Sequence, residues 1–280
     1  MSINNPKVSV LTPIYNTDPE YLREMIESIL NQTFSDFEFL ILNDSPDNKE
    51  IEKIVKEYAK HDKRIKYYQN TKNMGISLAR NKLLDLACGE YVAIFDHDDI
   101  SLPNRLQLQV EYMDKNLEVG LVSAWSRVFG VNNFISKSPE YDHDIKVGLT
   151  RHCCIVHSAC MFRKSVLQEN GIKYESFYSP AEDYRIFGQL MDVTHFYVIP
   201  KVLLEYRDFQ NNTTTRNRKR LDYAHDLVKM EICEKHPVLA SQNQDSKCKI
   251  LLFGIIPLIK IKRKWLLLFG FIPVIKIRWK

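Results

Sequence analysis

Four short β-rich runs separated by segments of helical period limit what the first hundred residues can become. Val8-Ser9-Val10-Leu11 predicts a strand that Thr12-Pro13 stops, and Glu20 to Leu30 places Leu22, Met25, Ile26, Ile29 and Leu30 at helical spacing. Phe37 to Leu42, Ile65 to Tyr68 and Tyr91 to Phe95 predict three more strands, with helices over Ile51 to Tyr58 and Ser77 to Ala87 between them. Strands alternating with helices build crossover units and a mostly parallel sheet. Ligands of such sheets bind outside the carboxyl ends of the strands. Three polar clusters follow predicted strands: Thr12 to Asn16, Asn43 to Asp47 and Asp96 to Asp99. Parallel strands would bring all three to one edge, around one ligand.

The third cluster carries the most chemistry. The run Ile94-Phe95-Asp96-His97-Asp98-Asp99 ends an apolar strand in three closely spaced carboxylates. Such a group repels itself unless a cation sits in it. Hard divalent ions such as Mg²⁺ or Mn²⁺ take oxygen ligands of this kind, with substrate phosphates completing the shell. A solvated acidic turn is the bland alternative. The chain has nine glycines and no G-x-G-x-x-G or G-x-x-x-x-G-K-[ST] loop, which argues against a dinucleotide-dependent oxidoreductase or a P-loop NTPase. A diphosphate would have to be held by metal and side chains.

With 280 residues, 45% of them hydrophobic, the chain can bury a full core. We expect one domain over residues 1–240, with halves near 1–120 and 121–240, followed by a tail over 241–280. The six cysteines form no C-x-x-C pair, and the N-terminus has no basic, then apolar leader pattern, so a reducing cytoplasm is expected. Cys153-Cys154 reads as a pair of buried small apolar residues. The net charge of +4 is a tail property, because residues 249–280 carry eight Lys or Arg and no acid, leaving an acidic body. The basic run over residues 211–220 has no aromatic interleaving. It reads as a mobile loop or a solvated helix start rather than a nucleic-acid site.

Five motifs occur in order: Val8 to Asn16, Ile26 to Phe34, Asn43-Asp44, Asn73-Met74-Gly75 with Ala79-Arg80-Asn81, and Asp96-His97-Asp98-Asp99. Together they resemble the family 2 glycosyltransferases, inverting enzymes with a GT-A fold that use nucleotide-diphosphate sugars, over residues 7–208. The resemblance implies an α/β, Rossmann-like, mostly parallel sheet flanked by helices, with a nucleotide-sugar half near 1–120 and an acceptor half near 121–240, followed by the basic and apolar tail. It implies that Thr12, Pro13 and Tyr15 pack on the nucleoside, that Asp44 accepts a hydrogen bond from uracil, and that Arg80 reaches the base or diphosphate. Asp96 and Asp98, with His97 between them, match the D-x-D pair that contacts the donor ribose and its metal, Mn²⁺ or Mg²⁺. Asp99 and His157 stand as further candidates. Each residue also has a local alternative: an Asx-turn for Asp44, a half-buried aromatic for Tyr15, a solvated helix face for Arg80, a satisfied core position for His157.

Beyond residue 120 the parallel pattern fades into Leu121 to Phe129, a polar stretch through Asp144, and Ile155 to Lys164. Ser179-Pro180-Ala181-Glu182-Asp183-Tyr184 opens a predicted helix with acids in its first turn, where the dipole favours them. Inverting sugar transfer needs a base on the acceptor hydroxyl, and the resemblance puts it at this Glu-Asp pair. Asp183 is assigned as base and Glu182 as its support, roles that can be exchanged. Tyr206-Arg207-Asp208-Phe209 resembles a Tyr-Arg-x-His segment, with Phe209 in the histidine position. Leu221 to Cys233 reads as a helix.

The tail repeats itself: Leu251-Leu252-Phe253-Gly254-Ile255-Ile256-Pro257 recurs sixteen residues later as Leu267-Leu268-Phe269-Gly270-Phe271-Ile272-Pro273. Neither run is long enough to span a bilayer. Lys and Arg alternating with apolar blocks, with Trp265 and Trp279, suit peripheral contact with an anionic membrane face, two strand hairpins being the alternative. The expected partners are a UDP-sugar donor and a lipid-linked glycan acceptor of lipooligosaccharide, O-antigen or capsule synthesis at the inner face of the bacterial cytoplasmic membrane. A sugar nucleotidyltransferase or a non-catalytic nucleotide-sugar binder are the competing functions.

Overall fold

The computed structural model describes residues 5–209 and 218–242, with the backbone of 259–261 and 264–266. The first third alternates as the sequence pattern requires: β1 (Val8–Ile14), α1 (Pro19–Leu30), β2 (Phe37–Asn43), α2 (Lys49–His61), β3 (Ile65–Gln69), α3 (Ile76–Leu86) and β4 (Tyr91–Ile94). All of these strands pair in parallel, in the spatial order β3-β2-β1-β4. Both faces are covered. Val8, Val10, Phe39, Ile41, Tyr91 and Ala93 pack on one side with α1 and α2, whereas Leu11, Leu40, Leu42, Val92 and Ile94 pack on the other with α3. Burial on two faces is why these strands read as nearly continuous apolar runs.

Local caps set the helix starts. Asp18 accepts from the Glu20 backbone at 2.9 Å ahead of Pro19, and Asn48 accepts from the Ile51 backbone at 3.3 Å. Gly75 precedes α3 with φ of 85°, a conformation that costs a glycine little.

The second half is a mixed sheet: β5 (Ile100–Ser101), α4 (Arg105–Lys115), β6 (Val119–Gly130), β7 (Phe134–Ser136), α5 (Asp142–Leu149), β8 (Met161–Arg163), α6 (Lys164–Glu169), α7 (Glu182–Leu190) and β9 (His195–Asp208). β8 joins β4 to β6 by antiparallel pairing, and β9 runs parallel to β6 and antiparallel to β5. The sheet therefore continues as β8-β6-β9-β5 and stays mostly parallel by paired length. Helices α8 (Arg218–Lys235) and α9 (Pro237–Ser241) follow, α8 packing on α7. Arg218, Lys219 and Arg220 form its exposed first turn, which is the solvated helix start of the basic run.

Several expectations are corrected. β1 runs through Thr12 and Pro13 to Ile14 instead of stopping there. Its pairing with β4 ends at Leu11, so the missing Pro13 N–H falls where that ladder has already finished. The acidic helix starts at Glu182, not Ser179. Cys153 and Cys154 are half-buried, their thiols on the carbonyls of Ile155 and Ile145. The tail expectation falls largely outside the described residues; the described backbone there is one antiparallel pair of β10 (Ile259–Ile261) and β11 (Lys264–Leu266).

Candidate functional site

The carboxyl ends of β1, β2 and β4 share one edge, and the three polar clusters lie there, the first beginning inside β1 at Thr12 and the second at Asn43, the last residue of β2. The first two loops touch: the Asn16 backbone donates to Ser45 Oγ at 3.1 Å, and Asn16 takes a positive φ of 45°. Tyr15 is 50% exposed at this rim, whereas Thr12 and Pro13 are buried within the strand. Asp44 is buried too. Its Oδ1 accepts from Asn70 Nδ2 at 2.7 Å and the Met74 backbone at 2.9 Å, and its Oδ2 accepts from the Gly75 backbone at 2.9 Å. This carboxylate fastens the end of β2 to the turn that starts α3. It is more than a local Asx-turn.

At the end of β4 the three acids have different surroundings. Asp96 accepts from Arg80 Nη2 at 2.8 Å, and its backbone N–H donates to Ser158 Oγ at 3.0 Å. Burial pushes its carboxyl up, but the Arg80 charge outweighs burial and holds it below the usual range. Asp98 is raised by burial and by repulsion from Asp96, against the pull of His97. Asp99, 1% exposed, is raised further by burial and by both neighbouring acids. Its Oδ1 accepts from the Arg207 backbone at 3.0 Å, so it is turned towards β9.

Two arginines that motif reasoning left without a role brace this turn. Arg207 donates from Nε to the Asp98 carbonyl at 2.9 Å, pairs with Glu24, and lies over the rings of Tyr21 and Phe129 at 4.1 and 4.7 Å. Phe209 sits beside the same Tyr21 ring, at 6.1 Å. Arg105 on α4 is fully buried, donating from Nη2 to the Ile94 carbonyl at 2.8 Å and from Nε to Gln109 at 3.2 Å. Burial pushes its guanidinium down to about 10, against the pull of Cys160, Asp99 and Asp96. Its signal in the sequence is an Arg and a Gln four residues apart on the apolar face of α4, with Leu106, Val110 and Met113.

The turn after β4 meets the start of α7 at Arg80, which is 6% exposed. Its Nη1 donates to Glu182 Oε1 at 2.9 Å while Nη2 holds Asp96. Arg80 is therefore no solvated helix face. Next along α3, Asn81 clamps Tyr174 through both backbone groups at 2.8 Å, and the Tyr174 ring lies 5.5 Å from the Arg80 guanidinium. His157 shares a 2.8 Å hydrogen bond between Nε2 and the Tyr174 hydroxyl. Burial and the Arg80 charge push its imidazole down to about 3, so it is a neutral interior residue.

Asp183, half-buried beside Glu182, accepts from the Tyr184 backbone at 2.7 Å. Burial and the Glu182 charge push its carboxyl up to about 7, against the pull of Arg80. A cavity of about 570 Å³ lies on this side, lined by Lys137, Asp144, Arg151, His152 and Cys153 among others. The Cys153 thiol is pushed up by burial and then by Asp183, which places that wall within electrostatic reach of the carboxylate.

Among the described residues no three acids, histidines or cysteines converge as a complete metal shell. The donor set still fits a hard cation. Asp96 and Asp98 supply carboxylate oxygens, the crowding that raises Asp98 and Asp99 is relieved by positive charge, and Mg²⁺-type ions take one or two carboxylates with substrate phosphates.

Comparison with known proteins agrees with this fold. The family model for glycosyl transferase family 2 matches residues 9–171. The uncharacterized glycosyltransferase MJ1057 of Methanocaldococcus jannaschii is 36% identical over 233 residues, covering 81% of this chain and 80% of that protein. The O-antigen biosynthesis glycosyltransferase WbnJ of Escherichia coli is 33% identical over 188 residues, 66% of this chain and 72% of its own. In fold, the chain is similar to S. aureus TarS, solved in complex with UDP-GlcNAc, with a TM-score of 0.67 at 22% identity over 84% of this chain and 71% of that one. The α/β sheet, the order of its motifs and these matches place the chain in glycosyl transferase family 2.

Proposed function

We propose that this enzyme is an inverting, metal-dependent hexosyltransferase that moves a hexose or N-acetylhexosamine from a UDP-sugar to a glycan acceptor. The observation that carries the proposal is the meeting of Asp96 and Glu182 on one buried guanidinium, which sets a donor-side carboxylate next to the Glu182–Asp183 pair. In this proposal Asp96 and Asp98 hold Mn²⁺ or Mg²⁺. A bound ion supplies positive charge that offsets the charge developing on the departing nucleoside diphosphate. Thr12, Pro13, Tyr15, Asp44 and His97 border the nucleoside, with Tyr15 as the exposed contact.

Asp183 takes the proton from the acceptor hydroxyl as that oxygen bonds to the anomeric carbon and the bond from that carbon to the diphosphate oxygen breaks. Attack from the face opposite the leaving group inverts the configuration. A carboxyl held at about 7 is matched to this task near neutral pH. The O-antigen relative supports a surface-glycan acceptor, and the UDP-GlcNAc bound by TarS supports a UDP-sugar. Among the described residues no helix is long and apolar enough to cross a membrane. Peripheral contact at the inner face of the cytoplasmic membrane is proposed from the basic, apolar repeat over 249–280.

Screening UDP-sugars for Mn²⁺-dependent hydrolysis tests the proposal before an acceptor is known. Release of UDP is the expected outcome. Pyrophosphate release would indicate a nucleotidyltransferase, and binding with no turnover under any donor would indicate a non-catalytic binder.

A further inference from the structure

We propose that Arg80 is an internal counter-cation that competes with the divalent ion for Asp96 and, through Glu182, couples the metal position to the acceptor-side carboxylates. The inference rests on the transferase reading above and gives Arg80 a positioning role in place of donor binding.

Of the three acids after β4, Asp96 is the one paired with an arginine side chain, at 2.8 Å. Arg207 approaches Asp98 and Asp99 too, but with its Nε on a carbonyl and its backbone N–H on a carboxylate. The Arg80 guanidinium has little freedom to leave. It is buried against the Tyr174 ring, and Tyr174 is itself fixed by Asn81 and His157. A divalent ion sharing Asp96 must therefore accept a fixed positive neighbour, and by linkage whatever Arg80 costs the ion, the ion costs the Arg80–Asp96 pair.

The partner that gains is Glu182. Arg80 Nε and Glu182 Oε2 are both buried without a hydrogen-bond partner among the described residues, while Nη1 and Oε1 already meet at 2.9 Å. Loss of hold on Asp96 frees Nη2, and the guanidinium, turning within its pocket, can then set Nη1 and Nη2 against the two oxygens of Glu182, the stronger fork geometry of an arginine and a carboxylate. Glu182 immediately precedes Asp183, so arrival of the ion on the donor side tightens the support of the acceptor-side turn.

The test reads Mn²⁺ affinity directly, from the electron paramagnetic resonance signal of free Mn²⁺, with and without UDP, alongside transfer rates. Arg80→Gln is expected to bind Mn²⁺ about tenfold more tightly while transfer slows. Glu182→Gln, which leaves the whole guanidinium charge to Asp96, is expected to bind it more weakly than wild type. Because Arg80→Gln leaves Glu182 buried and unpaired, the double variant Arg80→Gln/Glu182→Gln serves as its folded counterpart and should bind Mn²⁺ more tightly than Glu182→Gln alone. A loosened fold would weaken binding and turnover together. Unchanged or weaker Mn²⁺ binding in Arg80→Gln and in the double variant relative to their parents overturns the inference, as does absence of Mn²⁺ binding in every form. UDP-sugar turnover by wild type in EDTA reports separately on whether the transferase reading survives that failure.

Discussion

Arg80 on α3 and Glu182 at the start of α7 are 102 residues apart in sequence and 2.9 Å apart in space. The same guanidinium holds Asp96 at 2.8 Å, so one buried side chain joins the end of β4 to the start of α7. Breaking one half of such a pair leaves an uncompensated buried charge, which is why its neighbours are sensitive positions.

Transfer should gain with pH through neutrality. The Asp183 carboxyl, pushed up to about 7 by burial and Glu182, must be deprotonated to accept a proton, so the rate with saturating substrates rises between about pH 6 and 8 and then levels. The stability contribution has the opposite sign. With an unfolded value of about 3.9, it is fully present below about pH 4 and lost as pH rises through about 7. Asp183→Asn should therefore unfold at a higher temperature than wild type at pH 8, with the gap closing towards pH 4. A pH-independent rate across this window would contradict the assignment.

Asp44→Asn should loosen the donor rim. The replacement keeps one acceptor oxygen but turns an amide towards the Gly75 N–H that Oδ2 now accepts, leaving a buried donor facing a donor. The expected cost is about 1–3 kcal/mol in urea unfolding, together with weaker UDP binding. Unchanged stability would mean that the turn before α3 is held by something else.

Arg105→Lys should destabilise the acidic turn without touching any ligand. Lysine keeps a charge but cannot reach both the Ile94 carbonyl and Gln109 from one planar group. A loss of about 2 kcal/mol is expected by thermal or urea unfolding. Wild-type stability in this variant would remove Arg105 as a brace.

Removal of residues 249–280 should move the protein from the membrane to the supernatant fraction while sparing activity on a short soluble acceptor. Retention on membranes after the deletion would place the contact elsewhere in the chain.

The parallel half was legible because strands buried on both faces leave plain apolar runs, and each is followed by a polar cluster that the topology brings to one edge. The second half hid more. β9 pairs with β6 through register shifts near Trp125, so its alternation loses phase, and α5 is a short helix whose exposed residues look like loop. Asp96 and Asp98 are legible as site candidates from the carboxylates that end an apolar strand, and Asp183 from its resemblance-matched place at a helix start. What each carboxylate touches is not, because Arg80, Asn81 and Arg207 reach partners far along the chain and no local spacing encodes those pairs. Asp44 shows the same gap: the strand end was readable, whereas its three donors were not.

In the proposed mechanism the acids after β4 serve the donor and Asp183 serves the acceptor. Asp183→Asn separates the two, with UDP and Mn²⁺ binding followed by calorimetry and transfer by UDP release in the presence of acceptor. Donor binding is expected within about twofold of wild type, with transfer slowed by about 100-fold or more. Near-normal transfer by this variant would remove Asp183 as the base.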